Sequence, residues 1–212
     1  KNTQRTKAQI AILGITDDQL SSLRQSKDVQ WIGEYAAIGL SYSGNKTITV
    51  AYGSEDYFTH QEEMSLQGSI PQKANEIMLP QNYIDFLGES YRPGDIITFD
   101  VTGTGDEAEY TLSGILNEDC KSDGYFVYLS KDLAMSLMDH LQVTAYTSLN
   151  TDAIRSDAIL DFTDKIIENT GIVEDQIYLT EYSAVMTGVI QSGIQLPIPL
   201  QPAQQSMQPA EG

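Results

Sequence analysis

The chain is 212 residues long, 41% hydrophobic and 20% charged, the proportions of an ordinary globular protein able to bury one two-lobed domain or two small ones. Its 12 basic and 30 acidic residues leave a formal net charge of −18, which argues against a nucleic-acid partner and suits a domain standing above anionic lipid better than one lying on it. The single cysteine, Cys120, excludes an intrachain disulfide and neither requires nor excludes an extracytoplasmic setting.

Ala8 to Ile15 is a nearly continuous apolar run and predicts a buried strand. Thr16-Asp17-Asp18-Gln19 has the form of a capping box, with Leu20 and Leu23 on one face of the short helix that follows. Val29, Trp31 and Tyr35 alternate with other residues on a returning strand. Gly44-Asn45 marks a hairpin turn, and Ile48, Val50 and Tyr52 alternate on the strand after it.

The segment Gly68 to Phe99 is the most heavily punctuated part of the chain. Gly68 and Pro71 bracket a turn, and Asn75-Glu76 leads into an apolar strand over Ile77, Met78 and Leu79. Pro80 fits a first helical position, Tyr83, Ile84 and Leu87 follow at helical spacing, and Gly88 fits the left-handed residue that ends a helix. Arg92-Pro93-Gly94-Asp95 predicts a type II turn, because its third residue needs positive φ. Ile96, Ile97, Phe99 and Val101 then form a strand.

Further on, Thr102-Gly103-Thr104-Gly105-Asp106 reads as a long hairpin turn. A phosphate-binding loop would need a helix after its glycines, and the strand-like Tyr110 to Leu116 follows instead. Tyr125 to Leu129 is strand-like. Ser130 caps a helix with Leu133, Leu137, Met138 and Leu141 on one side, and Met135 and Met138 are expected to fill core. Leu141 to Leu149 reads as a strand, Asn150-Thr151-Asp152 as the cap of a longer helix with Ile154, Ala158, Phe162 and Ile166 every four residues, Gly171 as its end, and Ile177 to Tyr182 as the returning strand.

Gly68, Pro71, Asn75, Glu76, Ile77, Leu79, Leu87, Gly88, Gly94 and Asp95, in this order and spacing, resemble the signature of the extracytoplasmic domain of FtsX-like and MacB-like ABC transporter permeases. The strand Tyr110 to Leu116 is similar to the one that follows it in that family. The close match covers about a quarter of the chain. The resemblance implies an α+β fold in which two strand-helix-strand units, residues 1–63 and 141–186, form a membrane-proximal layer and residues 64–140 an inserted, mixed α/β outer lobe. The Pro- and Gln-rich residues 187–212 are expected to be a juxtamembrane linker or an appended extension. No run approaches the roughly 18 apolar residues of a spanning helix, and the chain starts at Lys1 without a signal-peptide pattern, so the resemblance implies an excised extracytoplasmic fragment of a membrane protein.

On this reading the domain is non-catalytic and without a cofactor. It would gate or bind a substrate, or pass ATP-driven motion outward. Its implied partners are a cytoplasmic ATP-binding subunit, a second permease copy or paralogue, and an extracytoplasmic protein, peptide or lipoprotein. A secreted ligand-binding module of α+β fold is the alternative, supported by twelve tyrosines, and a Cys/His-dependent hydrolase using Cys120 with His60 or His140 is a third. The residue patterns offer little chemistry. Asp119, Asp123 and Gly124 loosely resemble a calcium loop, but Lys121 and Ser130 occupy ligand positions. His60-Gln61-Glu62-Glu63 is not a zinc-helix motif, and no G-x-S-x-G elbow occurs.

Overall fold

The computed structural model describes residues 6–61, 64–118, 124–149 and 156–180. In chain order the first half forms β1 (Ile10–Ile15), α1 (Asp17–Arg24), β2 (Val29–Ser43), β3 (Lys46–Gly53), α2 (Glu55–Thr59), β4 (Met64–Gly68), β5 (Glu76–Pro80) and α3 (Gln81–Leu87). The second half forms β6 (Ile96–Phe99), β7 (Ala108–Glu118), β8 (Tyr125–Leu129), α4 (Lys131–Leu137), β9 (Val143–Leu149), α5 (Ser156–Thr170), a 3-10 turn (Glu174–Gln176) and β10 (Ile177–Leu179).

The strands join one mixed sheet in the order β10-β1-β9-β2-β3-β8-β5-β7-β4, with β6 also paired to β7. β9 lies between β1 and β2, so β1-α1-β2 and β9-α5-β10 interleave within this sheet. β3 pairs with β8 in parallel, which continues the sheet from the flanking strands into those of the central segment. Alternation along the strands separates two apolar surfaces. Ile48, Val50, Ile77, Leu79, Val127 and Leu129 face the main core with Leu20, Leu23, Tyr83, Ile84 and Leu133 of the helices. Ala51, Met78, Leu116 and Tyr128 point the other way, onto Tyr57, Phe58 and Ile70.

Local chemistry accounts for most of the element ends. The Thr16 hydroxyl accepts from the Gln19 N–H at 3.2 Å and the Gln19 carboxamide accepts from the Thr16 N–H at 3.1 Å, completing the predicted capping box. Gly44 takes φ 59° at the tip of the β2–β3 hairpin, Gly88 takes φ 71° at the end of α3, and Gly171 takes φ 72° beyond α5. Ser130 caps α4, its hydroxyl accepting from the Leu133 N–H.

Several expectations are corrected. Pro80 is the last residue of β5 and the residue before α3, with ψ 148°, instead of the first helical residue; it keeps its extended ψ because it still pairs with Leu116. Met135 is 57% exposed and fills no core, and Met138 is extended where α4 ends, so Leu141 lies outside the helix. Met64–Gly68 is a strand and Glu55–Thr59 a helix that the sequence reading left unassigned. Val101 is buried but lies beyond the end of β6. The expected cap Asn150-Thr151-Asp152, Ile154, the side chain of Ala158, Tyr182, Cys120 and the segment 187–212 lie outside the described residues.

Candidate functional site

Seven of the signature residues, Gly68, Asn75, Glu76, Ile77, Leu79, Gly94 and Asp95, lie along β7. Strand β7 pairs with β5 along one edge, and both β4 and β6 lie along the other, because Gly114 pairs with Gly68 opposite Met78 and Thr111 pairs with Ile96 opposite Glu76. β4 and β6 therefore make one interrupted antiparallel line, covering Gly114 to Glu118 and then Ala108 to Thr111. The chain leaves that line at Gly68, crosses β7, forms β5 and α3, and rejoins it at Gly94.

The exit and re-entry explain the glycines. Gly68 has φ 87°, and a Cβ there would stand 2.4 Å from the Ser113 carbonyl oxygen and 2.9 Å from Pro93. The Ser69 N–H donates to the Ser113 carbonyl at 2.9 Å and the Gly94 N–H to the Leu112 carbonyl at 2.8 Å, so β7 receives both ends of the excursion at adjacent residues. Gly94 has φ 101° and the Asp95 N–H returns to the Arg92 carbonyl at 3.1 Å, as the predicted type II turn requires. Gly114 faces this junction from β7, where a Cβ would meet the Ser69 carbonyl at 2.4 Å.

The two signature carboxylates brace turns of backbone. Glu76 accepts from the N–H groups of Gln72 at 2.8 Å and Lys73 at 3.1 Å, and Asp95 accepts from the Arg92 N–H at 2.8 Å. The Asn75 carbonyl receives the Thr111 N–H at 2.8 Å. Ile77 and Leu79 are fully buried, Pro71 is buried, and Leu87 packs at the margin of the main core. The Gln72 N–H is the chief cause of a Glu76 pKa below its usual 4.5; burial opposes it, and the Lys73 N–H and ammonium assist. A lowered folded-state pKa stabilises the fold above the unfolded value, and that contribution is lost as pH falls through the folded one. Glu76→Gln should therefore lower stability at neutral pH, a deficit that starts to shrink as pH falls below about 4.5 and is lost once pH passes through the lower folded-state value, measured by urea unfolding across pH.

A second arrangement was not legible as a motif. Glu34, in β2, is 6% exposed, and its carboxylate meets the Arg24 guanidinium of α1 at 2.9 Å and the Lys131 ammonium of α4 at 3.1 Å. Ser54 clasps the same residue, its N–H donating to the Glu34 carbonyl at 2.9 Å and its hydroxyl accepting from the Glu34 N–H at 2.8 Å. That hydroxyl also accepts from the Tyr57 N–H and caps α2. Lys131 lies over the Tyr52 ring, 5.9 Å from its centroid. Burial first, and then the negative charge of Glu34, push the Tyr52 phenol up, with Arg24 opposing.

Two open clefts flank the Ser54–Glu55 step. One, about 340 Å³, is lined by Arg24, Trp31, Glu34 and Asp56; the other, about 360 Å³, by Tyr52, Ile70, Pro71 and Lys131. The signature residue Pro71 thus reaches the surroundings of Glu34. The only sequence signal for Glu34 is a carboxylate within the apolar run from Val29 to Leu40, and its partners lie 10 and 97 positions away.

The imidazoles are placed structurally or exposed. His60 stacks on Trp31 with ring centroids 3.9 Å apart, and His140 is exposed. Among the described residues, no three His, Cys, Asp or Glu side chains gather as they would around a metal ion. In the loop before β7, the Asp100 carboxylate accepts from the N–H groups of Thr102, Gly103 and Gly105, which makes 102–105 a self-braced turn.

Comparison with known proteins supports the resemblance. The chain is 27% identical, over 128 residues and 58% of its length, to the hemin transport system permease protein HrtB of Staphylococcus haemolyticus, and spans 33% of that relative's length. The periplasmic region of MacB from Actinobacillus actinomycetemcomitans superposes with a TM-score of 0.58 at 12% identity, over 89% of this chain and 95% of that one. The extracellular domain of the ABC-type transporter YknZ from Gram-positive bacteria gives 0.54 at 11% identity, over 82% and 98%. A permease domain from Porphyromonas gingivalis gives 0.52 at 14%, over 80% and 88%. No family model matches the chain. Fold and sequence relationship agree with the resemblance to the MacB-like extracytoplasmic domain of FtsX-like ABC permeases. Among the described residues no helix is long and apolar enough to cross a membrane.

Proposed function

We propose that the chain is the extracytoplasmic part of an ABC transporter permease and that it passes motion of adjoining membrane segments from an inner lobe, residues 1–63 and 141–186, to an outer lobe, residues 64–140. ATP hydrolysis belongs to a cytoplasmic ATP-binding subunit, and a second permease copy or paralogue completes the transporter. The observation that carries the transmission reading is Glu34, which ties α1 of the inner lobe and α4 of the outer one through a single buried carboxylate. The ends of the described domain support it. The Thr180 N–H donates to the Gln9 carbonyl at 3.1 Å and its hydroxyl to the Ala8 carbonyl, so the first and last parts of the described domain lie side by side next to β1 and β10. A displacement applied there acts directly on β1, which leads into α1 and on to Arg24.

The test is a distance measurement in the intact permease with its ATP-binding subunit. With Cys120→Ser, spin labels at Asp18 and Asp132, both exposed, report α1 against α4. The expected result is an Asp18–Asp132 distance that differs between ATP-bound and nucleotide-free states and whose change is reduced by Glu34→Gln. A distribution unchanged through the ATP cycle rejects transmission through this joint, and a full-length reading frame without hydrophobic spans flanking the domain rejects the permease reading.

A further inference from the structure

We infer that the composite edge of β4 and β6 is a docking site for an extended, basic-flanked strand of another protein, which adds to the sheet beside β4. This inference rests on the edge and its charge alone and holds whether or not the domain transmits motion.

β4 ends the sheet, and among the described residues no strand lies on its outer side. The Ser69–Ser113 hydrogen bond sets the alternation of the ladder, directing the N–H and C=O groups of Ser65 and Gln67 toward β7 and those of Met64 and Leu66 outward. Outward backbone groups of this kind are a template for another strand, and soluble proteins guard them with charges, prolines or bulges. Here β4 (MSLQG) and β6 (IITF) carry no charged residue and no proline in a chain of net charge −18. Leu66 is 39% and Ile96 59% exposed along this line.

Charge selects the occupant. Asp95, Asp106, Glu107 and Glu109 are exposed around β6, with Arg92 as the opposing cation, and Glu109 pairs directly with Thr98. A second copy would bring the same uncharged edge but the same acidic surroundings, whereas a strand with an uncharged centre and Lys or Arg at its ends matches both features. Strand addition then supplies main-chain hydrogen bonds, and the acidic surroundings supply orientation and salt dependence.

The test uses the 212-residue chain and the fluorescein-labelled peptide Lys-Lys-Val-Thr-Val-Thr-Val-Lys-Lys, read by fluorescence anisotropy. The expected result is saturable binding that weakens on raising salt from about 50 to about 300 mM. Leu66→Pro, which removes an outward N–H at a position where an edge strand tolerates proline, should weaken it about tenfold or more. Leu66→Lys, which keeps the N–H but guards the edge with a like-charged side chain, should weaken it too, with thermal melting confirming that each variant is folded. A counterpart with Glu in place of every Lys should not bind. Absence of binding, equal binding by folded Leu66 variants, or equal binding of the Glu peptide overturns the inference. Concentration-dependent dimerisation abolished by Leu66→Lys assigns the edge to a second copy and overturns it as well.

Discussion

Gly68→Ala should destabilise the fold by about 3 kcal/mol or more, the largest effect of any single-methyl change in the signature segment. Two costs combine. A non-glycine residue at φ 87° pays roughly 1–2 kcal/mol for its backbone alone. Its Cβ would then stand 2.4 Å from the Ser113 carbonyl oxygen and 2.9 Å from Pro93, and the carbonyl cannot move without loosening its bond from the Ser69 N–H. Gly94→Ala is the built-in comparison, since Gly94 has φ 101° but nothing within 4 Å of a Cβ. It should cost only about 1–2 kcal/mol. Urea unfolding of both variants measures the difference, and equal costs would show that the strand junction does not depend on close approach at Gly68.

The second large effect is an asymmetry at Glu34. Arg24→Met with Lys131→Met leaves a carboxylate that is only 8% exposed facing no cation, and should cost about 3–5 kcal/mol. Glu34→Gln instead leaves Arg24 and Lys131, whose side chains are 53% and 43% exposed and which water can take up, and should cost about 1–2 kcal/mol. Adding Glu34→Gln to the double variant should recover part of its loss, because the unpaired buried charge is gone. Chemical unfolding of the four proteins tests this. A double variant no less stable than Glu34→Gln would mean that Glu34 is solvated and that α1 and α4 are not tied through it.

Much of the fold was legible locally because local forces decide it. The Thr16 capping box, the Gly44 hairpin tip, the Pro93-Gly94 turn and the Gly88 helix end depend on residues within a few positions of one another, and each forms as its residues predict. The misses have physical reasons. β4 is exposed at four of its five positions, Leu66 among them, since an edge strand with little burial leaves no alternation to detect. α2 is five residues long, and its place is set by contact: a Cβ on Gly33 would stand 2.6 Å from the Tyr57 Cα, so the helix rests directly on β2. Met135 kept helical spacing but faces outward, because the seven-residue helix buries only Leu133 and Ala134.

By itself, then, the sequence determined the turns, caps and strand patterns, and Gly68, Pro71, Glu76, Gly94 and Asp95 carried the resemblance to the MacB-like extracytoplasmic domain. Those are properties of short stretches of backbone and are written in neighbouring residues. The tertiary structure alone decided that β4 and β6 form one interrupted line along β7, that β9 lies between β1 and β2, and that Glu34 draws together Arg24 and Lys131. Strand order and buried ion pairs depend on which distant surfaces meet when the core closes. A carboxylate 97 positions from its ammonium partner carries no local mark of that meeting.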